Sequence, residues 1–199
     1  MSGQDIDGAV ALQKACFPDP FPEELLWSRC HLQRHLEIFP EGQFAAVESG
    51  FVVGTASSLL IESERWSGPH SWKRLAGDHF FSGHNPSGDL LYGADISVHP
   101  NHRGKGIAKA LYSARFRLVE ELGLAGFVTC CRIPDWLEWS NLTGILDKTE
   151  YCLRVIKGEI VDRTLSPLLR IGLKFAKVSE NYMDDVESGN AAASLEWMP

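Results

Sequence analysis

Long apolar runs are missing from this chain of 199 residues. None approaches the roughly 18 uninterrupted apolar residues of a membrane-crossing helix, and the N-terminus lacks a basic segment followed by an apolar one. No membrane partner is therefore expected, and a cytoplasmic location is the default. Cysteine is sparse too. The five residues Cys16, Cys30, Cys130, Cys131 and Cys152 are odd in number and include no C-x-x-C pair. That argues against a disulfide framework and a zinc site, and points to reduced core thiols. Basic residues are outnumbered, 19 Lys and Arg against 26 Asp and Glu, for a net charge of -7. An isoelectric point near 5.5 speaks against a nucleic-acid partner.

The local deficit of acids is more telling. From Ile96 to Val119 there is no Asp or Glu, where about three would be expected by proportion. Arg103, Lys105, Lys109, Arg115 and Arg117 fall in the same stretch. A cationic window in an acidic chain suits a small polyanionic ligand.

Inside that window an apolar strand ends in Ile96-Ser97-Val98-His99-Pro100-Asn101-His102-Arg103-Gly104-Lys105-Gly106-Ile107-Ala108, a glycine-punctuated basic loop that opens a helix. Gly104 and Gly106 have no Cβ, so backbone can approach an anion closely. The first amides of the helix lack intrahelical partners and carry the positive end of its dipole. Two glycines near a helix start can also be a plain tight turn; the charge window favours the phosphate reading.

The run Val98-x-Pro100-x-x-Arg103-Gly104-Lys105-Gly106-Ile107-Ala108 resembles motif A of the GNAT superfamily of N-acetyltransferases, R/Q-x-x-G-x-G/A, with Arg103, Gly106 and Ala108 in the defining places. Further resemblance lies in Phe39-Pro40-Glu41-Gly42-Gln43-Phe44, Leu91-Tyr92-Gly93-Ala94-Asp95, Tyr182-x-x-Asp185-x-x-Ser188 and Leu195-Glu196-Trp197. Together these look like a GNAT subfamily in which some members carry a carbon-nitrogen hydrolase domain after the acetyltransferase. No such domain is expected after Pro199. The resemblance implies an α/β fold, a mixed, mostly antiparallel and splayed sheet flanked by helices, over one domain spanning residues 1–199. Length and an apolar content of 44% agree with a single domain that has a real core.

Residue patterns predict a helix over residues 6–15, a second over 22–36, and a hairpin of residues 43–47 and 51–61 about Ser49-Gly50. Residues 64–89 read as a loop-rich excursion with a short helix near Trp72. A strand over 90–98, a helix over 104–122 stopping at Gly123, and a strand over 127–131 make a βαβ-like unit whose ligand sits beyond the first strand's carboxyl end. A loop with Trp136 and Trp139, a helix over 165–171 and strands over 173–179 and 191–197 complete the chain.

What the resemblance implies chemically is attack of an amine on the acetyl thioester of acetyl-CoA. Ile96, Ser97 and Val98 would pair with the pantetheine arm, and Val98 N–H would meet the oxyanion. Arg103, Gly104, Lys105, Gly106, Ile107, Ala108 and Lys109 would hold the pyrophosphate. An alkylammonium of pKa about 10 must lose a proton before attack. Asp95 is the first candidate base and Asp185 the second. Many members protonate the departing thiolate with a Tyr, but Leu168 stands at that place here. Tyr182 is the candidate acid, with Tyr151 and Ser166 as substitutes. Asp162 falls near an Asn that in many members contacts pantetheine.

Other features carry less. His31 and His35 have metal-ligand spacing but no third ligand, so no metal is expected. His99 and His102 flank the loop. Cys130 and Cys131 point to opposite faces of a strand without an activating partner. Trp66, Trp72, Trp136 and Trp139 line a cleft or pack at the core edge. The expected activity is acetyl-CoA-dependent N-acetyl transfer to a primary amine, with a second copy of the chain as a further candidate partner. Two alternatives keep the same fold: a silent acyl-CoA-binding module, and transfer of a longer acyl group.

Overall fold

The computed structural model describes residues 1–18 and 23–199. Its centre is a six-stranded sheet in the order β1-β2-β3-β4-β6-β5, with β1 Gln43–Glu48, β2 Phe51–Ile61, β3 Leu90–Val98, β4 Gly126–Cys131, β5 Lys174–Ser179 and β6 Ala192–Trp197. Only β3 and β4 run parallel; every other neighbouring pair is antiparallel. The turn Ser49-Gly50 takes positive φ at both residues, as a tight hairpin requires.

Two apolar layers cover the sheet. On one face, α1 (Ile6–Cys16), α2 (Arg29–Ile38), α3 (Ser63–Ser67) and α4 (Trp72–Ala76) surround Leu59, Ile61, Leu90, Tyr92 and Val128. On the other, α5 (Ile107–Leu122), α6 (Trp136–Thr143), α7 (Lys148–Ile156) and α8 (Leu165–Ile171) close over Leu91, Phe127, Ala193 and Leu195.

The expected strands, hairpin and first helix appear within a residue or two. The expected start of the second helix at Pro22 lies outside the described residues; α2 begins at Arg29, where Ser28 Oγ accepts the His31 amide. The helix expected from Gly104 begins at Ile107 instead, because Gly104 and Gly106 hold φ of +76° and +82° and end the loop rather than start the helix. The region around Trp136 and Trp139 is not a loop. It forms α6, stopped by left-handed Gly144, and α7 follows, its N-cap Asp147 accepting the amides of Thr149 and Glu150 at 2.8 and 3.3 Å. The short helix expected near Trp72 is α4, whereas Trp66, Trp136 and Trp139, expected in loops, also belong to helices, and Trp66 and Trp136 are buried.

Candidate active site

A bulge in β3 creates the site. Along β2 the register runs Ser58↔Gly93 and then Ser57↔Asp95, leaving Ala94 as an extra residue. The parallel pairing with β4 stops at Gly93↔Thr129. Beyond it β3 has a partner on one side only, and a gap opens towards β4. His99 N–H bonds the Val53 carbonyl at 3.0 Å on the β2 side. Peptide groups alternate along a strand, so those of Ile96 and Val98 face the gap. The Val98 carbonyl there takes Arg103 Nε at 3.2 Å and Cys16 Sγ at 3.4 Å. Ser97 turns the other way, its hydroxyl accepting Gln13 Nε2 at 3.1 Å.

The glycine loop lies at the open end of the gap. A Cβ added to Gly104 or Gly106 would meet no atom within 4 Å, so their glycine character answers backbone conformation, and the space above them is free. No side chain caps α5, and the amides of Ile107, Ala108 and Lys109 have no intrahelical partner. Lys105 and Lys109 are exposed beside them. The helix start packs against β2 through Gly54, where any Cβ would strike Ile107 Cγ2 at 2.7 Å. His99 Nδ1 accepts the Asn101 amide at 3.2 Å, and His102 Nδ1 stands 2.9 Å from Glu48 Oε2. Both imidazoles brace the loop.

Arg115 is not part of the cationic window. It is 1% exposed and points from α5 into the sheet. Its Nε donates to Ser58 Oγ at 3.1 Å, and its Nη2 to the carbonyls of Ser57, at 2.9 Å, and Asp95. The guanidinium ties β2 and β3 together at the bulge. Burial pulls its pKa down, while Tyr112 and Asp95 resist.

Asp95 emerges on the α1 and α2 face. Its Oδ2 takes Gln13 Nε2 at 3.3 Å, and Trp27 donates to the carboxylate. Burial raises its pKa above the usual carboxylate value, against Trp27, Arg115 and Gln13, which oppose the shift. Trp72 Nε1 donates to the Ala94 carbonyl at 3.2 Å, setting an aromatic wall beside the bulge. Tyr182 is buried, its hydroxyl bonded to that of Tyr92. Burial drives the pKa of both phenols well up.

Other sequence candidates are engaged elsewhere. Asp185 is held by Arg132 at 2.6 and 2.7 Å; burial opposes its ionisation, yet Arg132 and Ser188 outweigh burial and keep its pKa low. Asp162 is fully buried. It accepts Tyr151 Oη at 2.8 Å and the amides of Thr164, Leu165 and Asp135 at 2.8, 2.7 and 3.3 Å. Tyr151 is thereby committed, and the Ser166 hydroxyl accepts the Asp162 amide at 3.0 Å. Leu168 is a core residue of α8. His35 bonds the His79 carbonyl at 2.7 Å and stacks on Phe81, and burial lowers its pKa to about 4. Among the described residues no group of three or more His, Cys, Asp or Glu could hold a metal, and no helix is long and apolar enough to cross a membrane.

The site is thus a splayed parallel pair beside a glycine loop and the uncapped start of α5. The sequence profile of the acetyltransferase (GNAT) family matches residues 6–135, and the chain belongs to that family. An uncharacterized N-acetyltransferase of Bacillus subtilis (strain 168), YkwB, is 35% identical over 193 residues, which cover 97% of this chain and 84% of the relative. YhcX of the same organism, described as a probable hydrolase, is 37% identical over 195 residues, covering 98% of this chain but 37% of its own length. That agrees with a family branch joined in some members to a hydrolase domain. Among solved structures, the GphF GNAT-like decarboxylase in complex with isobutyryl-CoA superposes with a TM-score of 0.78, at 22% identity, over all of this chain and 96% of the other. The fold is shared.

Proposed function

We propose that this GNAT-family protein transfers an acetyl group from acetyl-CoA to a primary amine by direct attack. The observation that carries the reading is the gap between β3 and β4, which opens beside the glycine loop. Pantetheine completes the missing ladder along Ile96, Ser97 and Val98. The pyrophosphate sits over Arg103, Gly104, Lys105, Gly106, Ile107, Ala108 and Lys109, where unpartnered amides meet its charge. The Val98 amide stabilises the oxyanion, a contribution of about 3 kcal/mol for one such donor.

Asp95 serves as base. Its raised pKa brings it nearer to that of an amine, which favours proton transfer. Tyr182 takes the place of the missing acid at Leu168 and protonates the CoA thiolate. A thiolate of pKa about 8.5 is a fair leaving group unaided, so this step contributes roughly 2 kcal/mol at most.

Leu168 favours one second reading, a catalytically silent acyl-CoA-binding module. The GphF complex, with isobutyryl-CoA, supports acyl-CoA as the donor class and leaves chain length to measurement. Calorimetric titration with acetyl-CoA, isobutyryl-CoA and CoA, followed by thiol-release assays over an amine panel, tests all three. Micromolar binding with acceptor-dependent thiol release establishes the transferase. Stoichiometric binding without release establishes the module, and no binding rejects both.

A further inference from the structure

At the β5 edge of the sheet a cavity of about 560 Å³ opens between β5 and the segment that joins α3 to α4. In the strand order β5 lies three spacings from β3, or about 14 Å. The cavity is therefore apart from the glycine loop and the gap beside it. Helix α4 stands between: Trp72 turns to the Ala94 carbonyl, while Ser71 and Arg74 line the cavity.

Three basic side chains line this cavity, His70, Arg74 and Lys177, against one acid, Glu180, which is already paired with Lys148 at 2.9 Å. The Lys177 ammonium is pinned by the carbonyls of Ser67 and Gly68 at 3.1 and 3.3 Å. Those neutral acceptors occupy two of its three protons and leave its charge in place. Arg74 is anchored through its backbone, whose amide meets the Ser71 hydroxyl at 3.2 Å and whose carbonyl takes Arg65. Among the described residues its guanidinium has no hydrogen-bonding or ionic partner. His70 is buried and fixed, with Nδ1 on the Gly68 carbonyl at 3.0 Å, the ring stacked on Trp66 at 4.5 Å, and the hydroxyls of Ser179 and Ser194 at 3.1 and 3.4 Å from Nε2. Burial lowers its pKa, and the charges of Lys177 and Arg74 lower it further, against the carbonyls of Gly68 and Trp66. Two cations without a counter-charge thus converge on one cavity in a chain of net charge -7.

We propose that this cavity binds a phosphate group carried by a small organic molecule, with the Arg74 guanidinium as a fork on two oxygens and the Lys177 ammonium as a point charge on a third. The number of cations selects the ligand class. A carboxylate balances one of them, whereas a phosphate monoester, with a charge of about -1.5 to -2 at neutral pH, balances both. The volume selects an organic body, since it falls in the range of about 300–1,000 Å³ typical of small-molecule pockets and far exceeds what a bare ion fills. Pro69 and Val178 offer apolar surface to that body, and the Ser71 hydroxyl keeps a proton to donate. The site stands independently of the acyl-transfer reading.

NMR titration of the purified full chain with inorganic phosphate and with glycerol 3-phosphate tests the site, followed on the His70 ring resonances, which His70→Gln identifies. The reporter is local, so phosphate at the glycine loop does not register on it. Both probes are expected to shift these resonances saturably, glycerol 3-phosphate with the lower Kd. The His70 midpoint should rise by about one unit at saturation, because an anion beside the ring favours its charged form. Arg74→Gln and Lys177→Gln should each weaken binding about tenfold or more, and Lys105→Gln, on the glycine loop, should leave it unchanged. Arg74→Gln removes no side-chain contact of the fold, so its effect reads the site and not stability. Resonances unmoved by either phosphate, or wild-type affinity in Arg74→Gln, overturn the site. Acetate binding as tightly as phosphate overturns the phosphate assignment, and equal affinity for the two phosphates overturns the organic body. No readout uses thiol release, so a failure of the transferase reading is seen separately.

Discussion

Arg115 of α5 reaches into the sheet to donate to the backbone carbonyl of Asp95, two residues past the last pairing of β3 with β4. The same guanidinium holds Ser57 and Ser58 of β2, so one buried cation fixes the bulge from both sides. Replacing it strands two carbonyls and a hydroxyl in the core. Arg115→Met should cost about 3 kcal/mol of unfolding free energy, and Arg115→Lys, which has no planar fork, most of that. Urea denaturation measures both. An Arg115→Met protein as stable as wild type would mean that the bulge is held by strand pairing alone.

Gly106 sits at φ +82° with open space around it. Gly106→Ala tests conformation alone and should cost about 1–2 kcal/mol of stability, the penalty of a left-handed L-residue. Gly106→Glu adds a carboxylate where the pyrophosphate would lie. Its dissociation constant for CoA should rise more than about tenfold beyond that of Gly106→Ala, from like-charge repulsion at a helix start. Equal affinities for the two variants, measured by calorimetry, would remove the loop from cofactor binding.

How far the sequence carried the reading differs between these two sites. The glycine loop was legible because its information is local: a strand, two residues suited to positive φ, then an amphipathic helix. Arg115 was counted with the loop's cations because a sequence records its charge and not which way it faces on α5. The helices α6 and α7 were hidden by a tryptophan pair that reads equally as loop. Asp147 ahead of Glu150 and Arg154, a cap and an i,i+4 ion pair at 2.7 Å, was the signal that would have found α7. The contacts of buried His70 with Ser179 and Ser194 could not be read at all, since they join residues 109 and 124 positions apart.

Asp162 illustrates a residue whose chemistry is spent on the fold. Four donors converge on its buried carboxylate, three of them backbone amides around the start of α8 and α6. Asp162→Ala should destabilise the protein by about 3 kcal/mol, because it leaves the Tyr151 hydroxyl and three amides without their acceptor. Thermal unfolding checks the loss. Acetyl-CoA affinity of the folded fraction should be unchanged; a selective loss of affinity would instead tie Asp162 to pantetheine.

Asp95 sets activity against stability. Burial raises its pKa in the folded protein, so the folded state binds the proton more tightly than the unfolded chain. Its contribution is fully present below the unfolded value of about 3.9 and is lost as pH rises through the folded value. At neutral pH the ionised carboxylate therefore weighs against folding. Asp95→Asn removes that burden while leaving an oxygen to accept from Gln13 and Trp27, so its unfolding midpoint at pH 7 should equal or exceed that of wild type. As the proposed base, the carboxylate should matter to rate in the opposite sense, with kcat falling about 10² to 10⁴-fold. In wild type, kcat/KM should drop on the acid side through an inflection above the ordinary carboxylate range, and that limb should vanish in Asp95→Asn. A variant both less stable and fully active would reverse both assignments, leaving Asp95 a structural acceptor for Gln13.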